Sequence, residues 1–342
     1  MASTLRSSPQ IWKLAQDLGV EPQSDPVAAI LRFCNKRVQR IAKEFKCATL
    51  DTLLTTVAAA LGTTFVEIHS DNDLVDLQKR YLAQEEKAFA TLRTDLSGDV
   101  LAITYKLLNR KKWQRPYVSV IDCRGERKNR AYYSKWHELA HLLTLTDQMR
   151  LSFARTHTQV GQSRDPEEAL MEVIAGRFGF WQELLAPQAQ GEITFEAIET
   201  LRTQQCPDAS VQASLIGIAN AWPSPCVLVY AGLGLKKREN DALCQGAFGF
   251  SEPPSPELRA LKVQPNELAK QCGMTIFPNM RVPSCSVIYR VFSREKVEAE
   301  AVEDLAWWST SDGRALAPTL VRVKARRSGA GVHALIVPLA KH

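Results

Sequence analysis

The stretch Trp136-His137-Glu138-Leu139-Ala140-His141-Leu142-Leu143 places the pattern His-Glu-x-x-His inside an otherwise apolar run. Such a run predicts a buried helix, and on a helix residues four apart project from one face, about one turn from each other. His137 and His141 therefore offer two imidazoles to one point, where both can bind a single Zn²⁺ at ~2.0–2.1 Å. Glu138 stands beside them, where a carboxylate can take a proton from water activated by the metal and return it to a leaving amine. The chain has only six histidines, and two of them fall in this motif. Burying two imidazoles and a carboxylate without partners is costly, and a metal removes that cost.

A catalytic zinc site keeps three protein ligands and one open position, so a third donor is expected downstream. Asp165-Pro166-Glu167-Glu168 reads as a helix start, with an N-cap aspartate and a proline in the first turn, and the helix is expected to run through Leu185 to a stop at Pro187. Glu168 and Glu172 lie one turn apart on it. Glu172 is the preferred ligand: it is deeper in the helix, among apolar Met171, Val173 and Ile174, and is followed by small Ala175 and Gly176 that allow close packing. Glu168, nearer the solvated end, is the alternative.

Around the motif, Asn129-Arg130-Ala131-Tyr132-Tyr133-Ser134-Lys135 lead into Trp136. Glu172-Val173-Ile174-Ala175-Gly176-Arg177-Phe178 follow, and Glu183-Leu184-Leu185-Ala186-Pro187 close the region. With these elements residues 48–190 resemble the ImmA/IrrE family of zinc metallopeptidases, in which an Arg-containing turn, a His-Glu-x-x-His helix, a Glu-x-x-Ala helix and a Leu-Leu-x-Pro segment follow in that order. Ala140 stands where the family more often has Gly, and Gly176 where Asn is frequent. The resemblance implies a zincin-like core, His137, His141 and Glu172 as ligands of Zn²⁺, and Glu138 as general base. It also implies an endopeptidase that cleaves a regulatory protein, often a helix-turn-helix repressor, to relieve repression in a stress or mobile-element response. Tyr132, Tyr133 and His157 are the nearby donors able to stabilise an oxyanion, and the sequence does not choose among them.

The remaining sequence predicts an α+β chain of several domains, as 342 residues suggest. Residues 1–47 form an N-terminal helical segment, 48–190 the metallopeptidase domain, 191–224 a helix-turn-helix-like pair, and 225–342 a strand-rich α/β domain that resembles a GAF-like sensor. Helices are expected over 26–45, 50–61, 73–92, 195–205, 210–222 and 297–307. Strands are expected over 63–68, 98–108, 117–123, 226–230, 285–292, 320–325 and 332–337. A 45% hydrophobic, 23% charged composition excludes a disordered or fibrous chain. Eight cysteines without a CxxC pair read as reduced thiols of a cytoplasmic protein, and neither a signal peptide nor a membrane span is expected.

Formal net charge is +6, and the segment Lys106 to Arg130 holds nine Lys or Arg against two acidic residues. This segment is expected to guide an acidic stretch of a protein substrate, or a repressor held on DNA. Direct DNA contact by the helical pair is the lesser expectation, because residues 210–221 contain no Lys or Arg to meet phosphates. The rival reading is a non-proteolytic regulator or antirepressor that binds a repressor or DNA.

Overall fold

A computed structural model describes residues 5–21, 24–96, 100–146, 152–156, 165–236, 239, 241, 255–310 and 313–339. The chain is mixed α+β with two sheets. It divides into two compact units, Met1–Leu184 with Arg202–Ala213, and Leu185–Leu201 with Ser214–His342.

Counting α-helices longer than five residues and leaving out 3-10 helices, the first unit contains α1 (Pro9–Asp17), α2 (Pro26–Glu44), α3 (Leu50–Ala60), β1 (Thr63–Ile68), α4 (Asp71–Leu82), β2 (Val100–Lys106), β3 (Tyr117–Asp122), α5 (Ala131–Leu143), β4 (Ser152–Thr156) and α6 (Pro166–Gly179). The sheet order is β1-β3-β2-β4, with β1 parallel to β3 and the other pairs antiparallel. Side chains alternate across it. Val66, Ile68, Ile103, Tyr105, Val118 and Val120 turn to one face, onto Leu74, Leu77 and Tyr81 of α4 and onto Phe89, Leu92 and Leu96. Ala102 and Ile121 turn to the other, where they meet Ala131 at the start of α5.

Local chemistry sets the helix starts. Asp25 accepts a hydrogen bond from the Ala28 amide at the head of α2, and reciprocal capping boxes, Thr49 with Thr52 and Ser70 with Asp73, open α3 and α4. Gly62 joins α3 to β1 at φ +75°, and a Cβ there would lie 2.8 Å from Pro116 Cγ, so only glycine fits. The expected helix over 73–92 stops at Leu82. Glu85 takes a positive φ of 62°, and the buried Glu86 carboxylate turns inward to accept from the amides of Leu108 and Asn109. Strand β4 escaped the sequence reading, as did β6 below.

The turn between β3 and α5 is held by one buried carboxylate. Asp122 is 1% exposed and accepts from the Arg124 amide and guanidinium and from Arg127. Arg124 also pairs with Asp71 and donates to the Leu96 carbonyl.

The second unit carries the first part of α7 (Phe195–Gln205) and most of α8 (Val211–Ala221), then β5 (Val227–Gly234), β6 (Glu257–Pro265), α9 (Val287–Phe292), β7 (Glu298–Asp304), β8 (Leu320–Ser328) and β9 (Gly331–Pro338). These strands form an antiparallel sheet in the order β6-β5-β9-β8-β7. Val287, Ile288 and Val291 of α9 share a core with alternate residues of the sheet and with Trp308.

Two assignments are reversed here. Residues 285–292, expected as a strand, contain α9: Ser286 caps it by accepting from the Ile288 amide, and the buried Glu303 carboxylate accepts from the Val287 amide. Residues 297–307, expected as a helix, contain β7. Its period is two, with Glu298 and Glu300 opposite Arg326 and Lys324 of β8, and Arg326 Nε lies 2.7 Å from Glu298 Oε2. Cross-strand ion pairs outweigh the helix preference of an Ala/Glu run.

Burial works to raise the Asp122 carboxyl, and the hydrogen bonds from Arg124 and Arg127 outweigh it and hold it low. A depressed carboxylate stabilises the fold above its unfolded value of about 3.9, and that stabilisation is lost as pH falls. Asp122→Asn is therefore expected to lower unfolding free energy by about 3 kcal/mol at pH 7, the low end for a buried pair because both guanidiniums reach solvent. Urea titrations should show the gap between wild type and variant closing toward pH 3.

Candidate metal centre

Every residue from Trp136 to Leu143 is buried, so α5 is a core helix carrying ionisable side chains. It is clamped to α6. The Tyr132 hydroxyl donates to the Gly179 carbonyl at 2.7 Å and the Tyr133 hydroxyl to the Glu172 carbonyl at 2.7 Å. A Cβ on Gly179 would sit 3.3 Å from Trp136 Cδ1 and one on Gly176 3.7 Å from the Tyr133 hydroxyl, so α5 presses closer on Gly179 than on Gly176. At the far end of α5, Arg37 of the basic helix α2 donates to the Leu143 carbonyl at 2.6 Å, a cation on the negative end of the helix.

The two imidazoles converge on one carboxylate. His137 Nε2 lies 3.0 Å from Glu168 Oε2 and His141 Nε2 lies 3.2 Å from Glu168 Oε1. The histidine side chains are 1% and 2% exposed, and Glu168 is 22% exposed. Burial pushes the Glu168 carboxyl up, but the bonds to His137 and His141 prevail and hold it well below the usual carboxylate range. Among the described residues, His137, His141 and Glu168 form a group whose donor atoms all lie within 4.8 Å of one another. Two imidazole nitrogens and one carboxylate in that space are a fitting donor set for Zn²⁺.

Of the two candidate third donors, the structure brings the alternative, Glu168, to the histidines. Glu172 lies one turn further along α6, and it is Glu168 that reaches both imidazoles. The reason is where α6 begins: Asp165 caps it by accepting from the Glu167 amide, which puts Glu168 in the first turn, opposite the His137–His141 face. Glu168, expected nearer the solvated end of the helix, is partly covered at 22% exposure. Tyr132 and Tyr133 direct their hydroxyls to backbone carbonyls of α6, and His157 lies outside the described residues.

Glu138 is 0% exposed and faces the sheet, where its Oε2 accepts from Thr104 Oγ1 at 2.7 Å. Thr104 was missed by sequence reasoning. Its signal is a hydroxyl at an alternate position of the apolar strand Leu101-Ala102-Ile103-Thr104-Tyr105, on the face turned to α5.

Glu67, His69 and Cys123 make a second group within donor distance at the ends of β1 and β3. There the Lys135 ammonium lies 2.6 Å from Glu67 Oε1, and burial with the nearby Glu67 charge pushes the Cys123 thiol up to about 12. A carboxylate already paired with a cation and a thiol held neutral make a poor metal site.

The basic stretch is partly tied down. Arg124 and Arg127 serve Asp122, Arg115 donates to the Thr63 carbonyl and Arg110 to the Gln114 carbonyl. Reversing Arg124 and Arg127 would break the turn before α5, so the charges suited to test substrate guidance are the exposed Lys111 and Lys112, next to Trp113 at 74% exposure.

No family model and no curated protein matches the chain.

The third donor is separable by titration. Zn²⁺ affinity, read by competition with a chromophoric chelator, should fall in Glu168→Gln by more than the ~10–100-fold that loss of an outer-shell partner costs. It should be unchanged in Glu172→Gln. The reverse order would return the ligand role to Glu172.

Proposed function

We propose that this chain is a zinc-dependent endopeptidase with a zincin-like core that cleaves a regulatory protein, most simply a helix-turn-helix repressor, in the cytoplasm. The observation that carries the reading is the convergence of His137 and His141 on Glu168, with Glu138 between the two histidines in sequence and buried beside them in space. His137, His141 and Glu168 would hold Zn²⁺, which would supply Lewis acidity and a water reactive near neutral pH. The role this leaves to Glu138 is that of the base that takes a proton from water and delivers it to the leaving amine. The imidazoles stay oriented because α5 is fixed along its length by Tyr132, Tyr133 and Arg37.

Supporting the cytoplasmic part, the cysteines of the described residues are free thiols. The antiparallel sheet of the second unit runs 2-1-5-4-3 when its own strands are counted from one, and this order supports reading that unit as a GAF-like sensor. The helical pair, without Lys or Arg on α8, supports packing over DNA contact.

Glu138→Gln should retain zinc and fold while lowering peptide-bond hydrolysis by about 10²–10⁴-fold, the usual contribution of a positioned acid–base group. The measurement is co-expression with small repressors from the neighbourhood of the gene, followed by detection of a fragment. A fragment formed equally by wild type and Glu138→Gln, or by neither, would favour a regulator that acts by binding alone.

A further inference from the structure

Behind Glu138 stands a line of three buried hydroxyls. Thr104 Oγ1 donates to Glu138 Oε2 at 2.7 Å, Ser119 Oγ lies 2.6 Å from Thr104 Oγ1, and Thr63 Oγ1 lies 2.9 Å from Ser119 Oγ. All four residues are 0% exposed. They come from the three adjacent strands β1, β3 and β2 and from α5, and the register pairs Thr104 directly with Ser119.

The direction of these bonds follows from counting protons. A hydroxyl has one O–H to give. With the Thr104 proton on the Glu138 carboxylate, the Ser119–Thr104 contact can be made only by the Ser119 proton. The Thr63–Ser119 contact then takes the Thr63 proton. All three O–H dipoles therefore point at Glu138, and each polarises the next. Hydroxyls in the middle of a sheet face are costly to bury unless they are satisfied, and here they satisfy one another in a line that ends on the carboxylate.

We infer that Thr104 is the positioning residue for Glu138, and that Ser119 and Thr63 orient the Thr104 hydroxyl. The line fixes one carboxylate oxygen against the sheet and leaves Glu138 a single rotamer from which Oε1 can act. This rests on the reading of Glu138 as general base. Thr104 touches neither substrate nor metal in that scheme, so it acts only through Glu138. A misplacement of a reacting group by about 1 Å costs on the order of 10²-fold in rate, which sets the expected size of the effect.

The experiment compares wild type, Thr104→Val, Thr104→Ser and Ser119→Ala, each zinc-loaded, on fluorescein-labelled casein. Thr104→Val should lower kcat by about 10²-fold with KM and bound zinc unchanged, Thr104→Ser should restore most of it, and Ser119→Ala should fall between. Unchanged kcat in Thr104→Val, or no rescue by Thr104→Ser, overturns the assignment. A second arm needs no activity: urea midpoints of metal-free wild type, Thr104→Val, Glu138→Leu and the double variant form a cycle. Thr104→Val should lower the midpoint when Glu138 is present and leave it nearly unmoved in the Glu138→Leu background. Additive shifts overturn the hydrogen-bonded line. If wild type does not cleave casein while the cycle shows coupling, casein is excluded as a substrate, the peptidase reading is left to the repressor co-expression, and Thr104 still stands as the residue that holds Glu138.

Discussion

The first unit is organised around one costly act, the burial of His137, Glu138 and His141 on a single helix with almost no access to water. Each of these side chains would be stable in solvent, and each needs a partner once it is dry. The partners come from opposite sides. Glu168 of α6 answers the two imidazoles, and Thr104 of β2 answers Glu138. Neither helix nor sheet could be moved independently without stranding a charge, so the packing of α5 between them is specified by polar contacts as much as by its apolar residues. The clamps at Tyr132, Tyr133 and Arg37 then hold α5 where both sets of contacts are made.

Much of this was legible before any coordinates. The spacing of His137 and His141 dictates that their rings share a helix face, and the apolar residues around them dictate that the face is buried. The helix start at Asp165-Pro166 was equally plain. What could not be read was the axial offset between α5 and α6. A one-turn choice between Glu168 and Glu172 depends on where two helices cross, and that is set by Gly179 against Trp136 and by two tyrosine hydroxyls, whose contacts span 39 and 47 positions. The arguments used for Glu172, depth in the helix and small neighbours, describe packing in general and say nothing about register.

The same division runs through the second unit. Residues 320–325 and 332–337, inside Leu320–Ser328 and Gly331–Pro338, were readable as strands because their β-branched and apolar content is a local property. The segments 285–292 and 297–307 were not, because their outcome depends on partners. Val287-Ile288-Tyr289-Arg290-Val291 has the β-branched content of a strand, yet it packs as part of a six-residue helix whose start is held by Ser286 and Glu303. Glu298-Ala299-Glu300-Ala301 has the composition of a helix, and its alternation acquires meaning only beside the Arg322, Lys324 and Arg326 of β8.

The charges of the buried centre point to what it was built to hold. Glu168 and Glu138 bring two carboxylates into a nearly dry space, one partly open at 22% exposure and facing nitrogen donors, the other fully closed and facing hydroxyl dipoles. With neutral imidazoles, the two carboxylates leave a formal charge of −2 there. One divalent cation would cancel it, leave both rings neutral with their Nε2 lone pairs as donors, and sit where Glu168 already converges with them. Glu138 needs no share in that coordination, because its hydrogen bond to the sheet is already made. The two carboxylates thus differ in what they face, ring nitrogens for Glu168 and a hydroxyl of the sheet for Glu138, which is the difference the proposed roles of ligand and base require.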